Sequence, residues 1–89
     1  MTEIVLKIVN EKGLHARASA KFVEVVERHD ADAQVTKDGM TVAGDSIMGL
    51  LMLAASRGTS IEVRTSGAQA TELADALERL VADRFGESF

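Results

Sequence analysis

Ile4, Leu6 and Ile8 alternate with Glu3, Val5 and Lys7. A period of two predicts a strand with one buried face. Asn10-Glu11-Lys12-Gly13 then reads as a turn. From Ala16 to about Arg28 the period lengthens to that of a helix. At about 100° per residue, Phe22, Val26, Ser19, Val23, Ala16 and Ala20 fall on one arc, with Arg17, Lys21, Glu24, Glu27 and Arg28 opposite. Ala33–Lys37 and Met40–Val42 are short strands around Asp38-Gly39. That dipeptide suits a type I′ hairpin, which needs positive φ at both loop positions. Ser46 is placed to cap a short helix over Ile47–Leu53, apolar nearly all round, which ends before Arg57-Gly58. Ser60–Thr65 alternates again. The last helix runs from about Ala68 to Arg84, with Leu73, Ala74, Ala76, Leu77, Leu80 and Val81 on one arc and Glu72, Asp75, Glu78, Arg79 and Asp83 on the other.

The predicted order is βαββαβα. One sheet covered by helices on a single face buries all of these stripes. The short hairpin connections favour antiparallel pairing. The fold class is therefore α+β in two layers.

Composition narrows the function. With 89 residues, residues 1–89 are expected to form one domain, with little room for a deep cleft. Any reactive site should be shallow, and partners should supply the rest of the machinery. The chain has no cysteine, which excludes disulfides and thiolate metal sites. No metal or cofactor is expected. Met1–Val5 lacks the basic start and apolar run of a signal peptide. No apolar stretch approaches the ~20 residues of a membrane helix, so a cytoplasmic chain is expected. The formal net charge is −4 and the only aromatics are three Phe, without a cluster of Lys and Arg, which argues against nucleic-acid binding.

Two histidines are candidates for chemistry. His29, in Glu27-Arg28-His29-Asp30, suits a capping role at a helix C-terminus. His15 lies where a turn hands over to a helix, in Lys12-Gly13-Leu14-His15-Ala16-Arg17. The first N–H groups of a helix lack intrahelical partners and carry the positive end of the helix dipole. The backbone of Ala16 and Arg17 could thus hold a phosphoryl group on His15. Arg17 adds a guanidinium suited to paired hydrogen bonds with phosphate, and Gly13 allows close approach of the loop. The bland alternative is a His that caps the helix beside a solvated Arg. There is neither a P-loop nor a metal-binding spacing, which suggests a carrier rather than a complete enzyme. Ser46 is either a plain N-cap or a phosphorylation site, with Asp45 beside it somewhat repelling the new charge. Most of Ile47–Leu53 must be core, but Ile47 and Met48 could form part of an exposed docking patch.

Gly13-Leu14-His15-Ala16-Arg17-Ala18-Ser19-Ala20-Lys21-Phe22 resembles the active-site segment of the HPr family, phosphocarriers of the bacterial phosphoenolpyruvate-dependent phosphotransferase system. Asp45-Ser46-Ile47-Met48-Gly49-Leu50 resembles the family's second signature, and the resemblance extends over the whole chain. It implies an open-faced β-sandwich, a four-stranded antiparallel sheet with three helices on one face. It further implies that enzyme I phosphorylates Nδ1 of His15, that Arg17 contacts the phosphoryl group, and that an enzyme IIA histidine receives it. Ile47, Met48 and Leu51 would dock both partners. Ser46 would be a regulatory site for an HPr kinase/phosphorylase. The protein is expected to be a monomer. Ala18 stands where many sugar-transport members have Pro, and Ala18-Ser19-Ala20-Lys21 looks closer to the nitrogen-related branch, often called NPr. Asp45 replaces an expected Lys or Asn, which bears on kinase recognition.

Two other classes compete. A small ligand-binding regulatory domain would share the element order but carry no covalent chemistry at His15. A stand-alone phosphotransferase would need a nucleotide site.

Overall fold

The computed structural model describes residues 1–89. Its elements are β1 (Thr2–Lys7), α1 (Ala16–Glu27), β2 (Asp32–Lys37), β3 (Met40–Ala43), α2 (Ile47–Met52), β4 (Ser60–Ser66) and α3 (Ala70–Ala82), followed by a short turn of helix at Arg84–Gly86. The predicted βαββαβα order is observed. The strands form one antiparallel sheet in the order β1-β4-β2-β3.

Antiparallel pairing arises differently from the expectation. Only β2 and β3 form a hairpin. Its turn has φ of 51° at Asp38 and 82° at Gly39, the two positive values a type I′ turn requires. The other two pairings join strands far apart in sequence, with β4 returning between β1 and β2.

Register explains the layering. Ile4 and Val35 both pair with Val63, and Leu6 pairs with Ile61, so these side chains share a face. α1 and α3 cover that face. Phe22, Leu73, Leu77, Ile61 and Val35 are fully buried in the core between the layers. Each such side chain contributes about 1.5–3 kcal/mol through burial. The opposite face, with Glu3, Val5, Gln34, Thr36, Glu62 and Arg64, is open; Val5 is 66% exposed.

The helices differ from expectation at their ends. In α1 the buried stripe is Ala18, Ser19, Phe22, Val23 and Val26. Ala16 lies at the exposed rim because it opens the helix. α3 starts at Ala70, two residues late, where the chain is tied elsewhere. Gln69 N–H donates to the Asp30 carbonyl at 2.9 Å, and its side-chain oxygen accepts from Asp30 N–H at 2.7 Å. α3 ends at Ala82, and Arg84 and Phe85 both take φ of 55°. The fully buried Phe85 thereby returns to the core.

Gly13 has φ +65°, and a Cβ there would lie 2.4 Å from the Ala55 carbonyl oxygen. The close approach this glycine permits is thus to the loop after α2. Gly13→Ala should cost about 1–3 kcal/mol plus the displacement of that loop, measurable as a lower midpoint in urea denaturation.

Candidate functional site

The loop after β1 is clamped before it reaches His15. Leu14 is buried, and its N–H donates to the Ala55 carbonyl at 2.9 Å. The Ser19 hydroxyl donates to the Leu14 carbonyl at 3.2 Å. His15 is therefore held as the N-cap residue of α1, with φ −79° and ψ −176°. Its carbonyl accepts from Ser19 N–H at 2.8 Å. Its side chain makes no capping bond, so His15 caps the helix through its backbone alone. The helix offers no acceptor to the N–H groups of Ala16, Arg17 and Ala18. The His15 side chain is 26% exposed, which keeps the ring open to a partner.

The ring is held from the other end of the chain. His15 Nε2 lies 2.5 Å from Glu87 Oε2. Asn10, fully buried, donates through Nδ2 to Glu87 Oε1 at 3.0 Å and to the Gly13 carbonyl at 2.8 Å. Asn10 Oδ1 is buried without a partner. The Glu87 side chain is only 8% exposed. That burial raises its carboxyl, but the Asn10 and His15 hydrogen bonds and the charges of His15 and Lys12 outweigh it and hold the group below its usual 4.5. At neutral pH Glu87 is thus ionised and can only accept, so the shared hydrogen belongs to Nε2. The Lys21 ammonium donates to the Phe85 carbonyl at 2.6 Å and fixes the turn that delivers Glu87.

The other residues singled out in the sequence lie as follows. Arg17 is exposed and has no side-chain partner, leaving its guanidinium available. Ser46 is the N-cap of α2, and its Oγ accepts from Gly49 N–H at 3.0 Å. Leu50 and Leu53 are core, whereas Ile47, Met48, Leu51 and Met52 are exposed, Met48 by 71%. α2 packs against α1, so this apolar surface adjoins the helix that carries His15. His29 is the expected capping residue: its Nδ1 donates to the Val25 carbonyl at 2.7 Å. Two surface depressions, one over the open face of the sheet at Glu3, Val5, Gln34 and Glu62 and one beside Asp32, Ala43 and Asp45, are lined by neither His15, Arg17 nor Ser46. No group of His, Asp and Glu is arranged to hold a metal.

Sequence reasoning missed Asn10, Lys21 and Glu87. Asn10 reads as an ordinary turn residue, and Lys21 as a solvated one. The only local signal for Glu87 is Phe85-Gly86, an apolar residue and a glycine beyond the end of a helix.

A family profile described as "PTS HPr component phosphorylation site" matches residues 2–83. The chain belongs to the HPr family. The phosphocarrier protein HPr of Neisseria meningitidis serogroup A is 48% identical over 82 residues, 92% of each chain. That of Pseudomonas aeruginosa is 42% identical over 88 residues, 98% of each chain. Among solved structures, HPr-C-His from Thermoanaerobacter tengcongensis matches with a TM-score of 0.95 and 35% identity, covering 100% of both chains. An HPr dimer from the same organism matches with a TM-score of 0.77 and 36% identity, over 98% of this chain and 100% of that one. The expected open-faced sandwich is the fold of these HPr structures. The expectation of a carrier rather than an enzyme agrees with the phosphocarrier names of the relatives.

A lowered carboxyl adds stability above its unfolded value, and that stability disappears as pH falls through the folded one. The wild type should therefore exceed Glu87→Gln in stability at pH 7. The difference should shrink as the pH falls below 4.5. Urea denaturation of both proteins at pH 7 and at pH 3 measures it; a difference that grows in acid would contradict the assignment.

Proposed function

We propose that this chain accepts a phosphoryl group from phosphorylated enzyme I on Nδ1 of His15 and donates it to a histidine of an enzyme IIA protein. The observation that carries the reading is His15 at the start of α1 with a part-exposed ring, no capping bond and Nδ1 without a hydrogen-bond partner. The N–H groups of Ala16 and Arg17 and the unpaired Arg17 guanidinium would take the phosphoryl oxygens. Ile47, Met48 and Leu51 form the docking surface for both partners. Residues 1–89 act as one cytoplasmic, monomeric carrier domain without a cofactor. Ala18 favours a nitrogen-related regulatory role over sugar uptake. No observation favours a ligand-binding domain without covalent chemistry.

Incubation with phosphoenolpyruvate and catalytic enzyme I, read by intact mass, tests this. One phosphoryl group should appear, persist at neutral pH, vanish in acid and be absent from His15→Ala. An unmodified wild type beside an active enzyme I would overturn the reading.

Ser46 is proposed as a regulatory site for HPr kinase/phosphorylase. A dianion on its Oγ would sit beside Ile47 in the docking surface. Ser46→Asp mimics part of that charge and should weaken binding to enzyme I several-fold by calorimetry. Unchanged affinity would leave Ser46 a helix cap.

A further inference from the structure

We propose that Glu87 is a positioning residue for phosphoryl transfer: its carboxylate keeps the proton on His15 Nε2, leaves Nδ1 as the nucleophile, and stabilises the positive ring that transfer creates. This rests on the reading of His15 as the carrier residue.

The fold builds the contact at a cost. Arg84 and Phe85, neither of them glycine, both adopt φ of 55°. Left-handed backbone of this kind is disfavoured for any residue that carries a Cβ. Burial of Phe85 and the Lys21 bond to its carbonyl offset that cost. The turn then aims one carboxylate at one ring nitrogen. Asn10 holds the other carboxylate oxygen, so the group has little freedom to swing away. Asp38 and Ala54 share this backbone conformation singly, but only at Arg84 and Phe85 do two such residues stand in a row.

The electron balance says what the carboxylate does. The Nδ1 lone pair attacks phosphorus, and the donor's N–P bond breaks with its electron pair returning to the donor nitrogen. The His15 ring keeps its Nε2 proton and becomes a phosphoimidazolium with a formal positive charge. Glu87 supplies the opposite charge at hydrogen-bond distance, as the carboxylate of a catalytic triad does for its imidazolium. On the onward step the Nδ1–P bond breaks, and its electron pair returns to Nδ1. The leaving group is then neutral imidazole, because the proton has stayed on Nε2. Had that proton been lost, the leaving group would be imidazolate, a far poorer one. No proton moves in either step.

The charged groups on the elements packed around the contact are Glu11 and Lys12 in the loop, Arg17 and Lys21 on α1, and Asp83 and Arg84 after α3. Of these, Lys12 acts on the Glu87 carboxyl. The anionic partner at Nε2 is Glu87.

The test phosphorylates the protein chemically with phosphoramidate, in a His29→Gln background so that one of the two histidines remains. The 31P resonance is then titrated to find the pH at which the phosphorylated ring loses its Nε2 proton. In Glu87→Gln the amide can still accept the hydrogen bond but carries no charge. Its midpoint should fall by about one pH unit, a tenfold change in the equilibrium. The rate of phosphoryl loss to water at pH 7 should fall in step. Folding of both proteins is checked by their amide NMR spectra. Equal midpoints in two folded proteins, or a phosphoryl group on Nε2 of the wild type, would overturn the proposal. Because phosphoramidate replaces enzyme I, the midpoints judge Glu87 even if enzyme I transfers nothing and the carrier reading falls.

Discussion

Ile61 and Val63 sit in the strand that pairs with β1 on one side and β2 on the other, with their side chains shut away from water. Their alternation with Glu62 and Arg64 gives the sheet one dry face and one wet one. Both long helices must therefore lie on the same side. β4 can occupy the centre only if the chain crosses the sheet from β1 to β2 and later returns. The first crossing is α1, and its N-terminus emerges at the rim beside the loop that leaves β1. His15 owes its place to that route.

A carrier needs a group that is reactive yet accessible to two partners in turn. A deep cleft would serve neither exchange. Here the backbone around His15 is rigid, since Leu14, Ser19 and Ala55 fix the loop, while the ring edge stays partly exposed. The apolar surface of α2 lies next to α1, so a partner docked there would reach the ring. Rigidity and access coexist because the loop is held from below and the ring is held at one nitrogen.

Much of this was legible in the sequence. The strands announced themselves through alternation, the hairpin through Asp38-Gly39, and α3 through its two-sided charge pattern. The positions of His15, Arg17 and Ser46 at helix starts were legible because each position depends on its own neighbours in the chain. Glu87 was not, since its partner lies 72 residues away. Asn10 and Lys21 escaped for a related reason: their roles come from what the last turn brings to them. The left-handed backbone at Arg84 and Phe85 runs against the local preference of both residues, and only tertiary burial explains it. The exposed side of α2 was half legible: an all-apolar helix had to be mostly core, and only the structure could say which residues were not.

Residues past the last helix of a domain are usually where a sequence drifts freely, because nothing packs on them. The turn at Arg84–Gly86 removes that freedom here. A change of Phe85 to a smaller or polar residue would never touch His15, yet it would loosen the segment that orients the ring. Mutational tolerance at Phe85 is thus low at a place where a survey by sequence position would expect it to be high.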